Sequence, residues 1–190
     1  MRPLLLLALA ALPLAFAAPT GAADPAFQRA ENKLDRIESG RVRRGSVIVF
    51  TPDEMNAWAR GRVPQMYQGI RGPSVQLGTG AASGSAFIDF LKMRQGAGLP
   101  TNSLIAKLIE GERPLKVAIT LESSHGHATA HLTRLEISGD AVTGSALDFL
   151  VNEFFLHLFP DAKLNRPFNL QNNIDSIELR PDGVRVTMRK

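Results

Sequence analysis

Cysteine is absent from the 190-residue chain. Its absence excludes disulfides, and it also excludes a lipid-modified cysteine near the N-terminus. If the chain is exported, its domain must therefore be held together by its hydrophobic core alone.

Aromatic residues that carry a polar group are scarce, since the chain has one tryptophan and one tyrosine. The excess of positive over negative charge is also small. The formal net charge is +4, and its cations are scattered except for Arg41, Arg43 and Arg44. This surplus predicts a weak attraction to anionic membrane surfaces. Nucleic acid is not expected as a partner, because so few side chains could stack on bases.

The N-terminal segment contains one long hydrophobic run, since Leu4 to Phe16 is apolar apart from Pro13. The sequence after this segment has no hydrophobic run of comparable length. Arg2 precedes this run, and small residues follow it at Gly21-Ala22-Ala23. The pattern predicts a cleavable signal peptide over 1–23, with an uncleaved membrane anchor as the alternative. We therefore expect one exported domain, 24–190, that is soluble in the periplasm or outside the cell.

Motifs that would assemble a reaction centre are not evident in the sequence. The glycines of GTGAASG, 78–84, stand between two predicted strands, whereas a phosphate loop precedes a helix. There is no G-x-S-x-G to nominate Ser83 or Ser85 as a nucleophile. Asp53 and Glu54 follow Thr51 as acids of a first helical turn, which is a structural role. We predict no catalytic residue, no cofactor and no enzymatic activity.

Three of the four histidines lie in SSHGHATAHLT, 123–133. Ala128 and Ala130 alternate with His127 and His131, which predicts a strand with the histidines facing outward. Four residues along a strand span about 13 Å, so His127 and His131 cannot share a zinc ion. His125 and His127 remain as a pair without a third ligand nearby, and we predict no metal site.

The spacing of apolar residues and the positions of glycine and proline indicate alternating helices and hairpins. Residues 24–40 predict a helix ended by Gly40, and Thr51, Pro52 and Glu54 predict a capping box at the start of another helix. The remaining predicted elements are strands over 46–50, 74–78, 85–93, 115–122, 127–138, 174–180 and 184–189, and a helix over 101–110.

The segment 143–160, TGSALDFLVNEFFLHLFP, predicts a long helix that is apolar around most of its circumference. Such a helix is expected to be enclosed on nearly all sides. Two interpretations remain open: a central core helix packed inside a curved sheet, or a helix whose phenylalanines line a cavity for an apolar ligand.

Hairpins rather than βαβ units predict an α+β fold with an antiparallel sheet. Five features follow one another along the chain: VFTPDEMNAW with its E-x-N pattern, IDFLK, the KVAITL–HATAHLTRLEIS hairpin, the apolar helix and the terminal IDSIELRPDGVRVTM hairpin. In this order they resemble the small bacterial periplasmic members of the tubular lipid-binding (TULIP) superfamily. The resemblance spans about 46–190. It implies a strongly curved antiparallel sheet wrapped around a long apolar helix, with an apolar groove for acyl chains, and it supplies no catalytic residues.

We therefore expect an envelope protein that binds a lipid or another apolar small molecule. We expect the groove to be lined by residues that face inward along the predicted strands or lie on the apolar stripe of a predicted helix. These residues are Phe50, Trp58, Phe90, Leu121, Leu150, Phe154 and Leu158. Core packing would select the same residues. The alternatives are a cargo-free structural or assembly factor that presents strand edges or the Arg41–Arg44 cluster to an unknown protein partner, and a hydrolase or metalloenzyme.

Overall fold

The computed structural model describes residues 24–96, 98, 111–151 and 164–190. Within these ranges the helices are α1 (Pro25–Glu38), α2 (Pro52–Met66), α3 (Phe90–Gly96) and α4 (Gly144–Leu150). The strands are β1 (Val47–Phe50), β2 (Ile70–Gly78), β3 (Ala81–Asp89), β4 (Glu112–Ser124), β5 (His127–Ile137), β6 (Asp140–Ala141), β7 (Phe168–Asn169), β8 (Ile174–Arg180) and β9 (Gly183–Met188).

The strands form two sheets whose ladders are all antiparallel. The small sheet has the order β1-β9-β8, and the large sheet has the order β2-β3-β4-β5-β6, with β7 also paired to β5. The predicted α+β class with an antiparallel sheet is therefore confirmed.

Strand β8 joins the two sheets, because its free edge lies across the ends of two hairpins of the large sheet. The N–H of Gly80, in the β2–β3 turn, donates to the carbonyl of Leu179 at 2.9 Å. The N–H of Gly126, in the β4–β5 turn, donates to the carbonyl of Asp175 at 2.6 Å. The edge of the small sheet is thus covered by main-chain partners from the large sheet, which fixes the two sheets against each other.

Helices α1 and α2 begin where the sequence predicts. The side chain of Thr51 accepts the N–H of Glu54, the side chain of Glu54 accepts the N–H of Thr51, and Pro52 occupies the first turn. This reciprocal capping box satisfies donors that the first turn of a helix otherwise leaves free. Helix α1 buries an apolar stripe of Ala30, Leu34 and Ile37.

Buried apolar side chains form two separate clusters. The first cluster lies between the small sheet, α1, α2 and the hairpin end of the large sheet, and it contains Phe50, Trp58 and Leu121. The second cluster contains Ile88, Phe90 and Met93, with Leu115 and other partly buried residues of the opposite sheet end packed against it. The large sheet therefore contributes to a core at each end.

The prediction of one strand over 85–93 is wrong at both ends. Strand β3 begins at Ala81, because pairing with β2 and β4 on either side satisfies the backbone of the small residues 81–84 despite their low strand propensity. It ends at Asp89, whose carboxylate accepts the N–H of Lys92 at 3.0 Å, as a helix cap does. Phe90 consequently opens α3 instead of continuing the strand.

Strand β2 begins at Ile70, four residues before the predicted start at Ser74. Gly72 and Pro73 therefore lie inside the strand. A bulge between Arg71 and Ser74 accommodates them within it. A proline is tolerated here because β2 is an edge strand, where a missing N–H costs no ladder hydrogen bond.

Helix α4 covers the first part of the predicted helix 143–160, and residues 152–160 lie outside the described ranges. The expectation of an enclosed helix is wrong for the described part, which buries no residue. Phe149 is 46% exposed, and Leu150 is partly buried against the second cluster. The first turns of a helix that begins at the edge of a domain have fewer neighbouring residues than the middle of the same helix. Sequence periodicity does not show which turns lie at the edge.

Candidate functional site

The inward face of the large sheet is apolar from one end to the other. Register places Ala86, Leu115 and Ile137 in one cross-strand row beside the second cluster, and it places Leu121 and Ala130 in another row within the first cluster. Side chains of directly opposed residues share a face, and Leu115 and Leu121 are an even number of residues apart in β4, so both rows point to the same side of the sheet. The two cores are therefore two ends of one continuous apolar face.

Between these ends lies a central aliphatic patch of partly buried side chains. It consists of Val75, Val117, Ile119, Leu132 and Leu135, around Gly84. Among the described residues, the patch is packed in neither of the two buried clusters. The patch is the part of the apolar face that belongs to neither buried cluster of the described residues.

Gly84 lies at the middle of the central aliphatic patch, opposite Val75 and Val117. A Cβ atom added at Gly84 would meet only Val117 Cγ1 at 3.4 Å and the carbonyl oxygen of Ser74 at 3.7 Å among the described atoms. Both are ordinary or nearly ordinary contacts. The missing side chain therefore leaves a shallow depression in the apolar face, where a ligand carbon chain or another apolar group could lie.

The predicted lining residues fall into three groups. Phe50, Trp58 and Leu121 are brought together in the first cluster, at 1%, 2% and 7% exposure. Phe90 and Leu150 lie at the second cluster, at the other end of the face. Phe154 and Leu158 lie outside the described residues.

The residues of the central aliphatic patch were not among the predicted lining positions. The strict alternation of Leu115 to Leu121 was the sequence signal that could have identified Val117 and Ile119.

Glu54 is a buried carboxylate, 2% exposed, between α1 and α2. It accepts hydrogen bonds from Lys33 Nζ at 2.5 Å, Arg29 Nε at 3.3 Å and the Thr51 N–H at 3.0 Å. Burial alone raises the pKa of Glu54, but the Lys33 hydrogen bond, the Thr51 N–H, the Lys33 charge and the Arg29 hydrogen bond together hold this pKa below its ordinary value. A carboxylate held ionised in this way links two helices and caps one, which supports the structural role that the sequence predicts.

Asn56 is the second polar residue of the E-x-N pattern, and it binds the backbone of edge strand β2. Its Oδ1 accepts the N–H of Val75 and its Nδ2 donates to the carbonyl of Val75, both at 2.8 Å. Nδ2 also donates to the carbonyl of Pro52 at 3.0 Å. Val75 presents this main-chain pair to α2 while its side chain belongs to the central aliphatic patch. Asn56 therefore anchors one border of the patch to α2.

The histidines are arranged as the alternation predicts. His125 lies in the β4–β5 turn with a φ of 49°, and His125 and His127 are exposed. His131 Nδ1 lies 3.2 Å from Oδ1 of Asn165, while Ala128 and Ala130 of the same strand are buried. Within the described ranges, no three His, Asp or Glu side chains converge on a point that could hold a metal ion.

No protein-family model matches the chain, and comparisons with curated proteins and with solved structures return no match. The resemblance to the tubular lipid-binding superfamily therefore stays a prediction. Among the described residues, no helix has the length and apolar character required to cross a membrane.

Proposed function

We propose that this protein is an exported, non-enzymatic protein of the cell envelope that binds a lipid or another apolar molecule. The binding groove lies on the inward face of the large sheet. The central aliphatic patch forms its floor. An acyl chain fits such a surface because it offers aliphatic contacts without polar groups that would need partners.

One observation carries this proposal: the apolar face of the large sheet packs into a buried cluster at each end, and the side chains between these ends belong to neither cluster of the described residues. Five aliphatic side chains and a glycine line that middle part. Removing apolar surface from water contributes about 25 cal/mol per Å², so an apolar ligand that covers the patch gains affinity from every contact. The predicted signal peptide and the resemblance to lipid-binding proteins support the same function.

Native mass spectrometry of the protein, exported to a bacterial periplasm and purified without detergent, tests the proposal directly. We expect a discrete added mass that extracts into organic solvent, and its fragmentation identifies the lipid class. After delipidation, a fluorescent fatty acid should bind saturably. A bare polypeptide mass together with no saturable binding would contradict the proposal.

Gly84→Phe tests the location of the groove. The φ of Gly84 lies outside the left-handed region, and an added Cβ meets no backbone clash, so the strand can accept a side chain there. Its phenyl ring would fill the depression over Val117 and compete with the ligand. Ser83→Phe is the matched control, because Ser83 is in the same strand on the opposite face, beside Gln76 and Ala118. We expect loss of ligand binding in the first variant alone. Equal binding by both folded variants would place the ligand elsewhere.

A cargo-free assembly factor is the second candidate function. It is favoured by the tight packing of Phe50, Trp58 and Leu121 in the first cluster, where three predicted lining residues serve as plain core. In that case the purified chain would retain no ligand. Co-purification of an envelope protein with the ligand-free chain would support this function.

A further inference from the structure

A cluster of exposed cations lies where the loop before β1 meets the end of β9. Arg41, Arg43 and Arg44 come from the loop, and Arg189 and Lys190 follow β9; all five are exposed. We name these five residues the basic corner. The sequence shows the three loop arginines as a group, but it gives no sign that the last two residues lie beside them.

Main-chain hydrogen bonds hold the two segments of the basic corner together. The N–H of Gly45 donates to the carbonyl of Arg189 at 3.0 Å, and the N–H of Met188 donates to the carbonyl of Ser46 at 2.9 Å. A Cβ added at Gly45 would lie 3.5 Å from Cγ of Lys190. Arg43, Arg44 and Lys190 therefore extend from a backbone that the β1–β9 ladder fixes, whereas the guanidinium of Arg189 lies against Gly126 in the β4–β5 turn.

Three cations of the basic corner have no carboxylate partner among the described residues. No ion pair joins a described carboxylate to Arg43, Arg44 or Lys190, whereas other surface arginines of the protein, such as Arg71 and Arg180, have carboxylate partners at 2.7 Å and 2.8 Å. An anionic partner that approaches the corner is attracted by these cations.

We infer that the basic corner docks the protein on an anionic lipid bilayer surface. Polybasic segments are attracted to anionic headgroups, and each cation near the surface contributes to the binding. Val47, the first residue of β1, is 52% exposed next to the corner and offers an apolar contact to the interface. Aromatic side chains for base stacking are lacking here, since the single tryptophan is buried in the first cluster, which disfavours a nucleic acid. The inference is independent of whether the groove holds cargo.

Vesicle co-sedimentation tests the inference, with phosphatidylglycerol-containing vesicles as the probe and pure phosphatidylcholine vesicles as the neutral comparison. The triple variant Arg43→Gln, Arg44→Gln, Lys190→Gln removes three cations of the corner. We expect its affinity for anionic vesicles to fall on the order of 100-fold, at about fivefold per cation, and the binding of the unmodified protein to weaken as salt screens the charges.

The matched control is Arg60→Gln, Arg113→Gln, Lys116→Gln, which removes the same charge from exposed positions elsewhere. This control should retain most of the affinity. An equal loss in both variants would show that net charge, and not the basic corner, determines binding, and would overturn the inference. So would equal binding to neutral and anionic vesicles, or binding to a single-stranded oligonucleotide without binding to anionic vesicles. Fatty-acid binding by the corner variant, measured in parallel, separates a failure of docking from a failure of the groove.

Discussion

Glu54→Gln should destabilise the protein by about 2–3 kcal/mol at neutral pH. Glutamine preserves the shape of the side chain, and it can still accept the Thr51 N–H, so the capping box is retained. The substitution removes the negative charge that faces Lys33 and Arg29. A hydrogen bond to a charged group contributes about 1.5–3 kcal/mol, which fits the Lys33 contact at 2.5 Å, since Lys33 is only 27% exposed. The Arg29 contact adds about 0–1 kcal/mol, because Arg29 is 58% exposed.

The assay is urea unfolding followed by tryptophan fluorescence. Trp58 is the only tryptophan and is 2% exposed in the first cluster, which α1 and α2 both contribute to, so its emission reports the loss of this packing. Asp53→Asn is the matched control, because Asp53 is the exposed neighbour of Glu54 in the same first turn. It should cost about 0.5 kcal/mol through the helix dipole alone.

The pH dependence follows from the direction of the pKa shift. The pKa of Glu54 is lower in the folded protein than its ordinary value of 4.5, so the carboxylate stabilises the fold above pH 4.5, and this stability is lost as the pH falls through the folded pKa. The difference between the unmodified protein and Glu54→Gln should therefore shrink below pH 4.5. A difference that does not change with pH, or a control as costly as Glu54→Gln, would refute the reasoning.

Two further substitutions test how the backbone is held at the borders of the fold. Asn56→Ala removes both hydrogen bonds to Val75 and the one to Pro52, and it should cost about 3 kcal/mol, at about 1 kcal/mol per bond. Hydrogen exchange should show the Val75 amide exchanging faster while the amides of β9 are unchanged. Unchanged exchange at Val75 would contradict the role of Asn56. Gly183→Ala places a Cβ 2.4 Å from the carbonyl oxygen of Phe50 at a φ of 150°, so thermal unfolding should show a larger loss than for Gly80→Ala. Gly80 also has a positive φ, but no atom of the described residues lies within 4 Å of its added Cβ, and an alanine there should cost about 1–2 kcal/mol.

The sequence by itself determined the elements whose signals are local. The Thr51 capping box, the apolar stripe of α1, the alternation in β4 and the terminal hairpin with its Pro-Asp-Gly turn were all predictable, because each signal lies within a few residues of the element that it specifies. The outward direction of His127 followed from the same alternation. The α+β class followed from the order of these elements.

Tertiary structure alone decided the features that depend on partners far apart in the sequence. Residues 81–84 became strand because β2 and β4 both pair with them, and β2 extends back to Ile70 because a bulge accommodates Pro73. The location of Gly84 at the centre of an apolar patch required the register of three strands, and the basic corner required Lys190 to lie beside Gly45 across the β1–β9 ladder. Composition and periodicity give the face of a residue, but they do not give the neighbours that the fold places opposite it.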